Sequence, residues 1–262
     1  MQLPFIKYQG AGNDFIIVDQ FDERWLDRGD EEIIKSLCDR RFGIGADGFI
    51  ILEPHDTADF AMVYFNADGK VGSLCGNGAR CAVACMHHLG RFAAEGTFMA
   101  YDGLHHAKIY ETDLVDITMQ PVDSVELNSS YFILDTGSPH YVSFVEDLSD
   151  LDIVEAGKAI RYSKRFREKG INVNFVEEHE DGIEVNTYER GVEDETLSCG
   201  TGVTAAAISY AIKHDQRDGS VDVKTKGGKL KVRFTRTATG FEGIWLAGPA
   251  TLVFKGVVSL SD

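Results

Sequence analysis

No stretch of this 262-residue chain stays apolar for the ~18 residues that a membrane-spanning helix needs. Its opening residues, MQLPFIKYQGAGNDF, lack the basic-then-apolar order of a secretory leader. Proline is scarce, at 5 residues, and the 27 glycines follow no fixed period, which excludes a collagen-like or disordered polymer. Basic residues are in deficit: 26 Lys and Arg against 42 Asp and Glu leave a net charge of −16. Such a field repels phosphate backbones and argues against nucleic acid as a partner. Cysteine is sparse and odd in number, at 5, so no disulfide framework is expected. The expectation is a cytoplasmic protein with reduced thiols, and the question is what those thiols do.

What is present is an ordinary globular composition, 44% hydrophobic and 26% charged. At about 150 residues per domain, the length fits two modest domains or one large one. Short β-type runs read as strands at Phe5–Tyr8, Phe15–Asp19, Phe49–Leu52, Ala61–Phe65, Ala107–Tyr110 and Val115–Met119. Others follow at Tyr131–Asp135, Tyr141–Phe144, Val173–Glu177, Ile183–Tyr188, Val221–Lys226, Leu230–Thr235, Gly243–Ala247 and Thr251–Val257. Helices are predicted over Glu31–Arg41, Cys75–Leu89, Leu151–Ile160 and Cys199–Lys213, with a turn-rich crossing at 120–130. This order fits a doubly wound parallel sheet badly. Gly43-Ile44-Gly45-Ala46-Asp47-Gly48 matches a dinucleotide fingerprint in letters, but it follows a helix and precedes a strand, the reverse of that motif. The one basic cluster, Lys224, Lys226, Lys229, Lys231 and Arg233, alternates with Val223, Thr225, Leu230 and Val232 about Gly227-Gly228. That pattern is a hairpin with one wet face.

Two segments repeat. Phe65-Asn66-Ala67-Asp68-Gly69 leads to Leu74-Cys75-Gly76-Asn77-Gly78 and an alanine-rich helix. Tyr188-Glu189-Arg190-Gly191 leads to Ser198-Cys199-Gly200-Thr201-Gly202 and another. Each copy reads strand, polar loop, Cys-Gly-x-Gly, helix, as expected of a duplicated domain. A cysteine at a helix start meets unpaired N–H groups and the positive end of the macrodipole, which favours thiolate. The glycines leave those N–H groups open to a ligand, and a carboxylate suits them. If one substrate carboxylate is held by two such starts, its Cα lies between two sulfurs. One thiolate removes the Cα proton and the opposite thiol delivers another. The charge that develops falls on the carboxylate the N–H groups already hold. This is two-base racemisation without a cofactor. Against it stands the plainer reading of each cysteine as a small buried hydrophobe. The matched pair outweighs that reading.

At these residues the chain resembles the diaminopimelate epimerase family. The resemblance also runs through Gly10-Ala11-Gly12-Asn13-Asp14-Phe15, the Gly43–Gly48 loop, Gly137-Ser138-Pro139-His140 and Asn172-Val173-Asn174-Phe175. It implies an α/β (α+β) fold of two pseudo-symmetric domains, each a barrel-like strand layer around a central helix. The first domain would be 1–119, completed by a C-terminal strand in 249–262, and the second 120–248. It implies that Cys75 and Cys199 are the paired acid and base, and that Gly76, Asn77, Gly200 and Thr201 hold the reacting carboxylate. Asn13, Asn66, Asn172, Glu189 and Arg190 would grip the rest of an amino-acid substrate, with His140 and Glu189 tuning the thiols. Gly48 stands where the family often has glutamine, and Ser138 where it has asparagine; both are possible substrate contacts. A homodimer is implied, and no cofactor or metal.

Cys81 and Cys85, four apart on the first cysteine helix with His87 and His88 near, lack zinc spacing and read as core, as does Cys38. His105 and His106 read as a solvated turn. No lysine marks a pyridoxal phosphate site. Two other readings stay open: a racemase of another free amino acid on the same scaffold, and a cysteine redox or metal-binding module.

Overall fold

The computed structural model describes every residue except Thr112, Ser261 and Asp262. The chain divides into two compact units, Met1–Ile117 with Gly248–Asp262, and Thr118–Ala247. In chain order the first holds β1 (Gln2–Gly10), β2 (Asn13–Asp19), α1 (Glu31–Cys38), β3 (Gly48–Glu53), β4 (Phe60–Asn66), α2 (Gly76–His88), β5 (Glu95–Ala100), β6 (Gly103–Glu111) and β7 (Leu114–Thr118). The second holds β8 (Val125–Leu127), β9 (Phe132–Asp135), β10 (Pro139–Val145), α3 (Ile153–Arg161), β11 (Asn172–His179), β12 (Gly182–Glu189), β13 (Asp194–Thr196), α4 (Gly200–Lys213), β14 (Asp218–Thr225), β15 (Gly228–Arg236) and β16 (Phe241–Pro249). Strand β17 (Thr251–Ser259) then pairs antiparallel with β1 along the first unit. No helix among the described residues is long and apolar enough to cross a membrane.

Each unit wraps strands around one central helix. Helix α2 packs on β1, β2, β3, β4 and β17, and α4 on β9, β10, β11, β12, β14 and β15. A helix covered all round needs small or apolar side chains on every face, and the alanine-rich runs after each Cys-Gly-x-Gly supply them. Gly76–Met86 and Gly200–Ser209 are buried without a break. Helix α1 covers the other side of the first unit's strands, where Ile34, Leu37 and Cys38 join Phe49, Val63 and Phe65 in one apolar cluster.

Several expectations change. Helix α1 stops at Cys38, short of Arg41, because Asp39 leaves the helical region (φ −62°, ψ 126°) and its carboxylate accepts from the N–H groups of Arg41 and Phe42. Strands β5, β8 and β13 form where none was expected, and β8 lies inside the 120–130 crossing. His105 is buried on β6, stacked on Phe98 at 5.1 Å with Asp102 Oδ1 3.0 Å from its Nε2, and is not a solvated turn residue. The basic hairpin forms as β14–β15, with Val221, Val223, Leu230 and Val232 inward. Lys224, Lys226 and Lys231 pair with Glu184, Glu195 and Asp222, so its charge is answered locally.

Candidate active site

In the first unit Cys75 is the N-cap of α2, extended at φ −98° and ψ 110°, and its Sγ accepts from the Gly78 N–H at 3.4 Å. An extended N-cap turns the next N–H groups outward, where a helix has no partner for them. The first turn is tied down from below. Arg80, wholly buried, donates from Nη2 to Asn77 Oδ1 at 2.7 Å and from Nη1 to the Gly76 carbonyl at 3.3 Å. Asn77 Nδ2 donates to Asn13 Oδ1 at 2.6 Å, and Asn13 Nδ2 to Asp47 Oδ2 at 3.0 Å. A donor-only guanidinium at one end and a carboxylate at the other leave each amide one orientation that satisfies both neighbours. Burial lowers the Arg80 guanidinium to about 10, which leaves it cationic at neutral pH.

Asp47 belongs to the Gly43–Gly48 loop, so that loop is a clamp on the Asn13–Asn77 amide pair. Arg40 bridges Asp14 at 2.7 Å and Asp47 at 2.6 Å. Lys7, nearly buried, pairs with Asp14 at 2.8 Å and donates to the Gly45 carbonyl. Burial alone raises the Asp14 carboxyl, but Arg40 and Lys7 outweigh it and hold it at about 2.

Gly48 pairs with Asn66 across β3 and β4. A Cβ there would meet the Tyr64 ring at 2.5 Å and its hydroxyl oxygen at 3.0 Å, and one on Gly72 would meet the same ring at 2.8 Å. Tyr64 therefore lies between two glycines, two residues before the exposed Asn66 on the same face of β4. The space that a longer residue 48 would use is filled by Tyr64. Gly48→Gln should lower stability by roughly 1–3 kcal/mol through overpacking, and Tyr64→Ala in the same chain should recover the part due to the ring, leaving the clash with the Phe65 carbonyl oxygen at 2.9 Å. Thermal unfolding reads this, and an unchanged midpoint for Gly48→Gln would mean the ring does not occupy that space.

In the second unit Cys199 is the N-cap of α4 (φ −122°, ψ 112°), but its sulfur accepts no backbone cap bond. The Thr201 hydroxyl lies 3.4 Å from it, and the same oxygen lies 2.9 Å from His140 Nε2. His140 thus reaches this cysteine through Thr201. Burial, then the charge of Arg190, depress the imidazole to about 3, which leaves the ring neutral near neutral pH. Asn172, on β11 beside His140 on β10, accepts from the Arg190 N–H at 2.8 Å. Arg190 Nη1 donates to the Lys169 carbonyl at 3.1 Å, Glu189 ends β12, and Ser138 leads into β10 in a turn where Gly137 takes φ 104°.

Within each unit the structure gathers a thiol, a helix start and polar side chains from neighbouring strands. Cys75, Gly76, Asn77 and Asn13 meet in one. Cys199, Thr201, His140 and Asn172 meet in the other. The remaining thiols are buried and stay protonated near neutral pH: burial pushes Cys38 and Cys85 up to about 12 and raises Cys81 as well. Among the described residues no three His, Cys, Asp or Glu side chains converge as a metal site. Sequence reasoning passed over Arg80, Asp47, Tyr64, Asn174 and Thr187. Only Asn174 carried a visible signal, as the second asparagine of an i, i+2 pair alternating with Val173 and Phe175 on a strand buried on both faces.

With this geometry in view, comparison with known proteins is informative. The family described as Diaminopimelate epimerase matches residues 5–120 and 132–253. A diaminopimelate epimerase of Flavobacterium psychrophilum is 45% identical over 253 residues, 96% of this chain and 98% of that protein. One from Chlorobaculum tepidum is 40% identical over 260 residues, 96% and 99% of the two chains. Among solved structures, a Bacillus anthracis phenazine biosynthesis protein matches with a TM-score of 0.76 at 14% identity, over 99% of this chain and 100% of that one. A probable proline racemase from Agrobacterium radiobacter gives 0.73 at 16% identity, over 99% and 93%. These two share the fold, that of two pseudo-symmetric α/β domains.

Proposed function

The chain belongs to the diaminopimelate epimerase family, and from that premise we propose that it inverts one Cα of 2,6-diaminopimelate with Cys75 and Cys199 as its two proton carriers. It interconverts the LL and meso forms, an isomerisation that serves lysine and cell-wall precursor synthesis. The observation that carries the pairing is the duplicated helix start, a thiol at the N-cap of α2 and of α4, each followed by Gly-x-Gly.

The N–H groups of Gly76, Asn77, Gly200 and Thr201 take the reacting carboxylate. Holding its charge there lowers the cost of Cα ionisation, because the carbanion delocalises into the same two oxygens. One thiolate takes the Cα proton, and the thiol on the opposite face returns a different one. In the reverse direction the roles exchange. Asn13, Asn66, Asn172, Glu189 and Arg190 serve the ammonium groups and the distal carboxylate. Gly48 acts through its backbone if at all, and Ser138 through its hydroxyl.

The protein works in the cytoplasm as a homodimer. A contiguous apolar strand favours the second copy: Leu252, Val253, Phe254 and Val257 of β17 are exposed, more apolar surface than one strand of a monomer normally shows.

The test is Cα deuterium incorporation in heavy water over a panel of free amino acids, before and after chelation. Exchange fastest with diaminopimelate and indifferent to chelator is expected. Faster exchange with another amino acid would favour a racemase of that substrate. Loss with chelator and stoichiometric metal would favour a metal-binding module and overturn the two-thiol reading.

A further inference from the structure

The second unit holds a chain of buried polar groups longer than the proposed chemistry needs. Asn174, on β11, is wholly buried and lies directly opposite Thr187 of β12. Thr187 Oγ1 donates to Asn174 Oδ1 at 3.0 Å. Asn174 Nδ2 donates to the Tyr141 carbonyl at 3.0 Å and faces His140 Nδ1, also at 3.0 Å. The amide has two N–H groups, one for each of these acceptors, and a carbonyl acceptor permits no reversal. Nδ1 of His140 must therefore accept, so a neutral ring carries its proton on Nε2. That N–H meets Thr201 Oγ1 at 2.9 Å, and the Thr201 hydroxyl is left to donate toward Cys199 Sγ at 3.4 Å. Asn172 Nδ2 also approaches Nε2, but only at 3.4 Å, while its oxygen is taken by the Arg190 N–H.

We infer that Thr187, Asn174, His140 and Thr201 form a one-way hydrogen-bond chain, or relay, that aims the Thr201 hydroxyl hydrogen at the Cys199 sulfur, with Asn174 the positioning residue that sets its direction. A hydrogen bond donated to the charged form stabilises that form, so the relay favours the Cys199 thiolate. When the sulfur is protonated, S–H can return the bond to a lone pair on the same oxygen, so the relay serves both states of a carrier that alternates between them. His140 takes no proton in this scheme. It transmits orientation. The first unit achieves the same end differently, with the Gly78 N–H on Cys75.

Gly202 shows that the relay is built in. A Cβ at residue 202 would stand 2.4 Å from Asn174 Oδ1 and 3.3 Å from Thr187 Oγ1. The equivalent atom on Gly78 would meet carbon atoms, of Ile50 and Phe15 at 3.3 Å and the Cβ of Cys75 at 3.5 Å. The second glycine of this copy makes room for an amide.

The inference rests on Cys199 being an acid/base thiol, and it is tested apart from that role. In protein labelled with nitrogen-15 at histidine, the His140 resonances, assigned by comparison with His140→Gln, should report a neutral ring protonated on Nε2 at neutral pH. A proton on Nδ1, or an imidazolium, would overturn the relay whatever the activity. Asn174→Asp replaces the donor by an acceptor and should move the proton to Nδ1, so that Nε2 draws the Thr201 hydroxyl away from sulfur. Iodoacetamide labelling of the Cys199 peptide at fixed neutral pH should then slow about tenfold, with the Cys75 peptide unchanged as internal control. If that variant does not fold, Thr201→Val should slow the same labelling and Thr201→Ser should restore it. Equal rates in those two would refute the inference. The two-thiol reading fails separately, on whether Cys199→Ala retains epimerisation.

Discussion

Cys75→Ala and Cys199→Ala should each abolish epimerisation while leaving the fold intact. In the proposed mechanism inversion needs removal of a proton from one face of Cα and delivery to the other, so neither thiol could stand in for its opposite. General acid–base groups contribute on the order of 10²–10⁴-fold each, and losing either proton carrier should cost at least the upper end of that range. Cysteine to alanine removes one sulfur from an N-cap. At Cys75 the cap bond from Gly78 is long, and at Cys199 the sulfur accepts no cap bond, so the stability cost is small. Circular dichroism and thermal unfolding check the fold, and the LL-to-meso equilibration rate reads the chemistry. An alanine variant that equilibrates the two forms within a factor of ten of wild type would sink the mechanism. The buried Cys81 supplies a control: Cys81→Ala should keep turnover and lose only packing.

Gly202→Ala should damage the protein far more than Gly78→Ala, although the two positions match in the repeat. The added carbon at 202 would sit 2.4 Å from a buried amide oxygen that already accepts from Thr187. Asn174 cannot retreat without releasing His140 or the Tyr141 carbonyl. The strain, about 1–3 kcal/mol for overpacking, therefore comes with a lost or displaced polar contact, and kcat should fall more than KM changes. At 78 the nearest atoms are the end of Ile50 and the edge of Phe15, both at 3.3 Å, and a methyl-sized shift of Ile50 accommodates the carbon. Denaturant midpoints and steady-state kinetics of the two variants decide it. Equal losses would mean that Asn174 does not press against the start of α4.

The parts of this molecule that were legible in the sequence are those encoded at short range. Cys-Gly-x-Gly before an alanine-rich run announces a helix start and a buried helix, and both copies fold so. The wet hairpin was readable from alternation alone. What escaped depends on register and tertiary placement. Nothing local says that Thr187 lies opposite Asn174, or that His140 neighbours Asn172 across a parallel pair. Arg80 reads as a surface charge on any helical wheel, yet the strands around α2 bury it whole. His105 looked solvated beside Asp102-Gly103 until Phe98 stacked on it. The short strand β13 (Asp194–Thr196) carries only polar residues and exists because β12 offers it an edge.

Helix α4 has no wet face from Gly200 through Ser209. A helix half in solvent can fray or roll by breaking a few bonds at a time, but one enclosed by strands on every side moves only if those strands separate. Beyond its open first turn, the amides of α4 should exchange with solvent at the rate at which the whole unit opens, among the slowest in the molecule. The thiol at its start is thereby mounted on a segment held in place from every side, and any motion that accompanies turnover must be carried by other parts of the chain.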